Sequence, residues 1–243
     1  MMKSAPLFLG SIVAALLASA ASPGAAKAAA VVLWPVDPVI RAGENASALW
    51  VENKGAVPVT LQVRALGWSQ VKGDEAYAQQ DEVVASPPIA SVPPGQRQLV
   101  RIIRRDAGHS DVEHSYRLLI DELPPAVDPA KPNDPGAQLS VQMRYSIPLF
   151  TYDVAEAKPQ LSVHFEIQGG KRFVVIRNDG AKHARLIDLR LRAGGQATTV
   201  LPGLVGYVLA GATMRWELPA TAPISSQVEV NVNGGDMSLA TSA

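Results

Sequence analysis

The chain has 243 residues, with 22 Lys and Arg against 22 Asp and Glu, and no cysteine. A charge balance this even gives no field for a phosphate backbone, which argues against a nucleic-acid binder. The missing cysteines exclude disulfides, thiol catalysis and zinc–cysteine sites, so any core must be held by packing alone.

Met1–Ser4 carries Lys3, residues 6–18 are apolar or small, and residues 20–30 are rich in alanine. Those are the three regions of a secretory signal peptide, and cleavage after Ala28 or Ala30 fits an A-x-A pattern. The apolar run is short for a bilayer span, and no later stretch is apolar enough for one, so no stable membrane insertion is expected after cleavage. Removing Lys3 and Lys27 and no acid takes the formal charge from 0 to −2.

The expected mature chain reads as strands. Val31–Trp34 is apolar and β-branched, and Ser47–Glu52 alternates before an Asn53-Lys54-Gly55 turn. Val57–Trp68 alternates again, with Leu61, Val63 and Ala65 on one face; Leu99–Ile103, Tyr116–Ile120 and Leu139–Leu149 continue the pattern. Helical windows are interrupted by Pro and Gly. Short strands at this spacing indicate an all-β sandwich or barrel. Ser86-Pro87-Pro88 and Pro93-Pro94-Gly95 flank Ile89–Val92, and proline, lacking a ladder donor, marks an edge or tight turn there. The segment 124–136 contains five prolines and reads as a mobile loop.

The second half repeats the theme. A strand ending in Asn53-Lys54-Gly55 matches one ending in Asn178-Asp179-Gly180, 125 residues on (178 − 53). Two sandwiches are therefore expected, 31–152 and 153–243 after a 1–30 signal peptide, with the junction near residues 152–159.

Leu139, Val141, Met143, Tyr145 and Ile147 alternate with polar residues over nine positions. Such a strand is either an ordinary core strand or, following a Pro-rich loop, an edge that pairs with another chain. The four histidines, His109, His114, His164 and His183, show no metal-ligand spacing and read as solvated residues; no metal and no cofactor are expected. There is no nucleophile elbow or phosphate loop. Asp121 and Glu122 are adjacent on a strand, so they point to opposite faces and cannot flank one scissile bond; a solvated strand end is expected there. No catalytic residues are assigned and the chain is not read as an enzyme.

Several phrases, in order, carry a resemblance: Leu33-Trp34-Pro35, Leu49 to Gly55, Gln62-Val63-Arg64, Gly67-Trp68-Ser69-Gln70, Ser86-Pro87-Pro88-Ile89, Pro94 to Arg101, Glu113, Tyr116 to Pro124, Leu139 to Phe150, Asn178-Asp179-Gly180, Leu201-Pro202-Gly203 and Gly206-Tyr207-Val208-Leu209. The set resembles the periplasmic pilus-assembly chaperones of the chaperone–usher pathway, most closely their archaic branch. The resemblance implies two immunoglobulin-like domains in an L-shaped arrangement, residence in the periplasm, and fimbrial (pilin) subunits and an outer-membrane usher as partners. It implies donor-strand complementation, a recognised form of β-augmentation, with Leu139, Val141, Met143 and Tyr145 as the donor row. The Arg and Lys that anchor the subunit's C-terminal carboxylate in better-known members fall near Pro38 and Pro148 here, and neither proline can bind a carboxylate. Arg117, with Arg144 as partner, is the expected replacement. Arg101 and Glu113 are expected to form an ion pair bracing the domains. The competing reading is an immunoglobulin-like structural or adhesive component of a surface fibre.

Overall fold

The computed structural model describes residues 31–105, 110–124, 141–225 and 227–241. Among them are seventeen strands and no helix. The signal-peptide reading, the loop at 125–136, Leu139 and His109 lie outside the described residues.

The first sandwich is built from β1 (Val31–Trp34), β2 (Val39–Ile40), β3 (Ala46–Asn53), β4 (Val59–Val71), β5 (Asp74–Gln79), β6 (Val83–Ser86), β7 (Ile89–Val92), β8 (Arg97–Arg104), β9 (His114–Leu123) and β10 (Arg144–Thr151). One sheet runs β1-β3-β8-β6; the other runs β2-β10-β9-β4-β5, with β7 also paired to β4. Alternation puts Leu49, Val51, Val100 and Ile102 of the first sheet against Leu61, Val63, Leu118 and Ile120 of the second, all buried. The chain leaves the first sheet after β6 and enters the second at β7, so Pro87 and Pro88 sit at the crossing, where neither is asked to donate to a ladder.

The second sandwich is built from β11 (Leu161–Gln168), β12 (Lys171–Asn178), β13 (Ala184–Ala193), β14 (Gln196–Val208), β15 (Thr213–Glu217), β16 (Gln227–Val232) and β17 (Gly235–Ala240). Its sheets are β11-β12-β15 and β14-β13-β16-β17. Val174 and Ile176 face Leu186, Leu189, Leu191, Val228 and Val230 across its core. No sheet takes strands from both halves.

The repeated Asn-x-Gly corner is the same device in both sandwiches. Asn53 donates from Nδ2 to Val57 O and Val92 O, and its Oδ1 accepts from Gly55 N. Asn178 donates to Lys182 O and Val208 O and accepts from Gly180 N. Both side chains are fully buried, so each satisfies carbonyls that the turning backbone cannot pair.

The two sandwiches are joined by more than the linker. Trp68 of β4 and Phe150 of β10 reach into the second core. Gln70 uses its amide as a ladder segment, donating to Tyr207 O and accepting from Leu209 N. Glu113 N donates to Ala181 O, and Glu113 Oε1 accepts from both His183 N and His183 Nδ1, the latter at 2.7 Å.

Three readings of the sequence are corrected here. Arg101 does not pair with Glu113. Val100 and Ile102 are buried, so alternation turns Arg101 to solvent; Arg104, on the inward parity, makes the brace instead, with two bonds to Asp153 in the linker. His183 is not solvated: its side chain is only 13% exposed and its ring stacks on Phe150 at 3.6 Å. Glu122 is not a solvated acid, because the strand that buries Leu118 and Ile120 buries it too, and it accepts from the Tyr145 hydroxyl.

Candidate functional site

The site begins with what β10 leaves unpaired. Antiparallel pairing to β9 sets Arg144 opposite Asp121 and Pro148 opposite Arg117. Glu122 N donates to Met143 O, which makes Met143–Glu122 a hydrogen-bonded pair. Bonded and non-bonded pairs alternate along such a ladder, so Tyr145, Ile147 and Leu149 also turn their backbone groups to β9. Arg144, Ser146 and Pro148 turn theirs outward. On that outer side β2 pairs in parallel only with Phe150 and Thr151, and Phe150 N reaches Pro38 O. From Arg144 to Ser146 the edge is unpaired and exposed among the described residues, and Pro148 beyond it is buried. Pro148 is tolerated inside the strand because its missing N–H would face that edge. The edge thus offers two N–H donors, on Arg144 and Ser146, and then a position with none.

The apolar row divides along the strand. Val141 is 64% and Met143 45% exposed. Tyr145 is half-buried against the first core and bonded to Glu122; burial and then the Glu122 carboxylate push its hydroxyl pKa up to about 12. Ile147 and Leu149 are core. One alternating sequence therefore serves the first sandwich at its far end and stands free at its near end. The strand itself begins at Arg144, shorter than the expected Leu139–Leu149.

Arg117 and Arg144 are not brought together. They stand at ladder positions four residues apart (148 − 144), roughly 13 Å at the rise of a strand. Arg144 is ion-paired to Asp121, which also binds Arg64 at 2.6 Å. Burial alone would raise the Asp121 carboxyl, but the two guanidiniums outweigh it and hold the pKa below its ordinary value of 3.8. Arg144 thus secures the start of β10, and its charge is already answered.

Arg117 is different. Its guanidinium lies 3.7 Å from the centre of the Trp68 ring and 5.5 Å from that of Tyr207, between the sandwiches. Its Nε is buried with no hydrogen-bond partner. Sequence reasoning missed the aromatic setting. Trp68, Phe150, His183 and Tyr207 form one connected cluster between the sandwiches, and no local sequence signal links these four positions. The arrangement pairs an open, donor-bearing strand edge with an unanswered cation at its end, which suits an incoming chain segment ending in a carboxylate.

A family model described as "Pili and flagellar-assembly chaperone, PapD N-terminal domain" matches residues 30–152. No curated protein matches. Among solved structures, the chain is 29% identical to one from the CsuC–CsuE chaperone–tip adhesion subunit pre-assembly complex of the archaic chaperone–usher Csu pili of Acinetobacter baumannii, covering 88% of this chain and all of that one, with a TM-score of 0.71. The Salmonella enterica SafA pilin complex with the SafB chaperone matches at 18% identity, 88% and 97% coverage and a TM-score of 0.61. The Pseudomonas aeruginosa CupB2 chaperone matches at 18% identity, 87% and 100% coverage and 0.56. At that identity these last two speak to the fold alone.

Proposed function

The chain belongs to the pili and flagellar-assembly chaperone family, and from that premise we propose that it holds fimbrial subunits on the open edge of β10 and delivers them to an outer-membrane usher. It does so in the periplasm, after removal of residues 1–30, and without catalysing a reaction. The observation that carries the reading is the open edge at Arg144 and Ser146 with Val141 and Met143 exposed beside it. A subunit lacking a strand exposes a core groove and unpaired edges. β10 supplies ladder partners, and the row at Leu139, Val141 and Met143 supplies apolar side chains; Tyr145, committed to Glu122, contributes at the margin.

The subunit's last carboxylate is received by Arg117. The ladder runs out of donors at Pro148, and Arg117 stands directly across from Pro148. A chain terminus arriving there meets a guanidinium already desolvated by Trp68 and lacking a partner for Nε. Arg144 takes no part in this contact, because Asp121 holds it at the other end of the edge.

The test is a subunit-binding measurement with two variants and two ligands. Arg117→Ala should weaken binding by roughly two orders of magnitude or more, the cost of leaving a buried charge unpaired, without lowering the melting temperature. Amidating the subunit's C-terminus should remove most of the difference between wild type and variant. Wild-type affinity in Arg117→Ala overturns the anchor; loss of binding with Arg144→Ala as large as with Arg117→Ala overturns the assignment to one arginine.

A further inference from the structure

We propose that Arg185 of the second sandwich is a second cation for the subunit's terminal carboxylate, beside Arg117, and that Asp37 of the first sandwich holds its place in the free chain. This rests on the reading of Arg117 given above. The exposed edge of β10 stops at Ser146. Just past it stands the segment 35–38 between β1 and β2, where Pro38 O accepts from Phe150 N. Asp37 is therefore set at the end of the edge where the subunit's terminus arrives.

Arg185 reaches the same place from the other sandwich. β13 buries Ala184 and Leu186, so alternation turns Arg185 away from that core. Its backbone is fixed on Asn233, whose Oδ1 accepts from Arg185 N and whose N donates to Arg185 O. The ladder sets Arg185 directly opposite Tyr207, and opposite residues share a face. Tyr207 is the link to the first sandwich. Its ring centre lies 5.5 Å from the Arg117 guanidinium and 6.1 Å from the Phe150 ring. Burial raises the pKa of its hydroxyl, and Arg185 and then Arg117 act against that rise. One tyrosine thus stands between two guanidiniums, one from each sandwich, at the end of β10.

Asp37 holds Arg185 loosely. Its Oδ2 is 3.8 Å from Arg185 Nη1, beyond hydrogen-bond reach, and the side chains are 55% and 35% exposed. Such a contact is worth little and is easily given up. Arg144, by contrast, is hydrogen-bonded to Asp121. A guanidinium carries five donors in a fork that matches a carboxylate, so Arg185 keeps donors that Asp37 does not use. A terminal carboxylate, positioned by the strand pairing behind it, takes over from Asp37. The bound terminus then touches both sandwiches: Arg117 meets it from β9 and Arg185 from β13.

Isothermal titration of the mature chain tests this with a short N-acetylated peptide of alternating valine and threonine, ending in a free carboxylate or in an amide. Wild type should prefer the acid. Arg185→Gln should weaken the acid about tenfold, the worth of a charge-assisted hydrogen bond, and leave the amide unchanged. Arg185→Lys should keep part of the preference. Asp37→Asn should strengthen the acid roughly two- to fivefold, because a competing surface charge is gone. The opposite signs are decisive, since both variants break the same ion pair. If that pair is only a brace, both variants weaken both peptides alike, and the proposal is overturned. If Arg185→Gln keeps the wild-type preference while Arg117→Ala loses it, Arg185 takes no part and Arg117 stands alone. If wild type shows no preference for the acid, the reading of Arg117 and this inference both fall.

Discussion

The two sandwiches turn the same corner on the same buried asparagine, yet their last strands are finished differently. β17 closes the second sandwich with Met237 and Leu239 packed on its core and with Asp236 and Ser238 on the other face. That is how a strand edge is made unattractive to other chains. β10 ends the first sandwich with an open edge, and the residues leading into it, Val141 and Met143, are apolar and exposed. The shared corner is a folding device and is found twice. The exposed row is found once, and folding of the isolated chain gives no reason for it.

The sharpest way to break that comparison is to charge the row. Val141→Asp and Met143→Asp should each abolish protection of a subunit, by orders of magnitude in apparent affinity, while the melting temperature of the free chain stays within a degree or two. A residue already exposed costs little to change in the free protein, whereas a charge inserted in a client's core is left unpaired. If either variant unfolds alone, these residues are core and β10 is an ordinary strand.

The corner offers the next largest effect. Asn53→Ala leaves two carbonyls and one N–H without partners, and Asn178→Ala leaves two carbonyls and two N–H groups, those of Gly180 and Gln160, which predicts a loss of about 2–4 kcal/mol in the affected sandwich. Denaturation followed by tryptophan fluorescence and by a probe in the second sandwich should show each variant weakening its own half first. Equal, simultaneous loss in both variants would mean that the sandwiches unfold as one unit.

A smaller effect separates the two arginines. The Arg64–Asp121–Arg144 group fixes the start of β10, and its exposed guanidiniums limit its worth to about 0.5–1 kcal/mol. Because the folded-state pKa of Asp121 is lowered below 3.8, this contribution is fully present above that value and disappears as the pH falls through the folded-state pKa. Between pH 7 and 5 it should not change. Asp121→Asn should match acidified wild type in the exchange rates of residues 143–145, with Arg117-dependent binding unaffected. A change near pH 6 would have to come from another group.

Much of this was legible in the chain. Period-two alternation and the repeated Asn-x-Gly turn are local signals, and they foretold the strands and the two similar halves; the prolines at 87 and 88 marked an edge or tight turn, and only the fold shows a crossing between sheets there. What escaped were contacts between segments distant in sequence. Arg101 and Arg104 differ only in parity and position on β8, and only the packed sandwich shows that Arg104 faces Asp153. His183 reads as an isolated histidine until the fold lays it on Phe150. Likewise Leu139 to Ile147 is one uninterrupted pattern, and nothing within it shows that its face is free at Met143 and buried by Ile147. Arg117 was singled out because two prolines stood where charges were expected; the unpaired Nε and the Trp68 ring are what distinguish it from Arg144.

The central claim is that β10 lends its open edge to another chain, and hydrogen exchange along β10 tests it residue by residue. In the free protein the amides of Arg144 and Ser146 should exchange quickly, while those of Tyr145, Ile147 and Leu149, bonded to β9, exchange slowly. On binding a fimbrial subunit, Arg144 and Ser146 should become protected and their odd-numbered neighbours should change little. If the complex forms and Arg144 and Ser146 still exchange as in the free chain, the subunit is held by some other surface, and the edge of β10 is not the site.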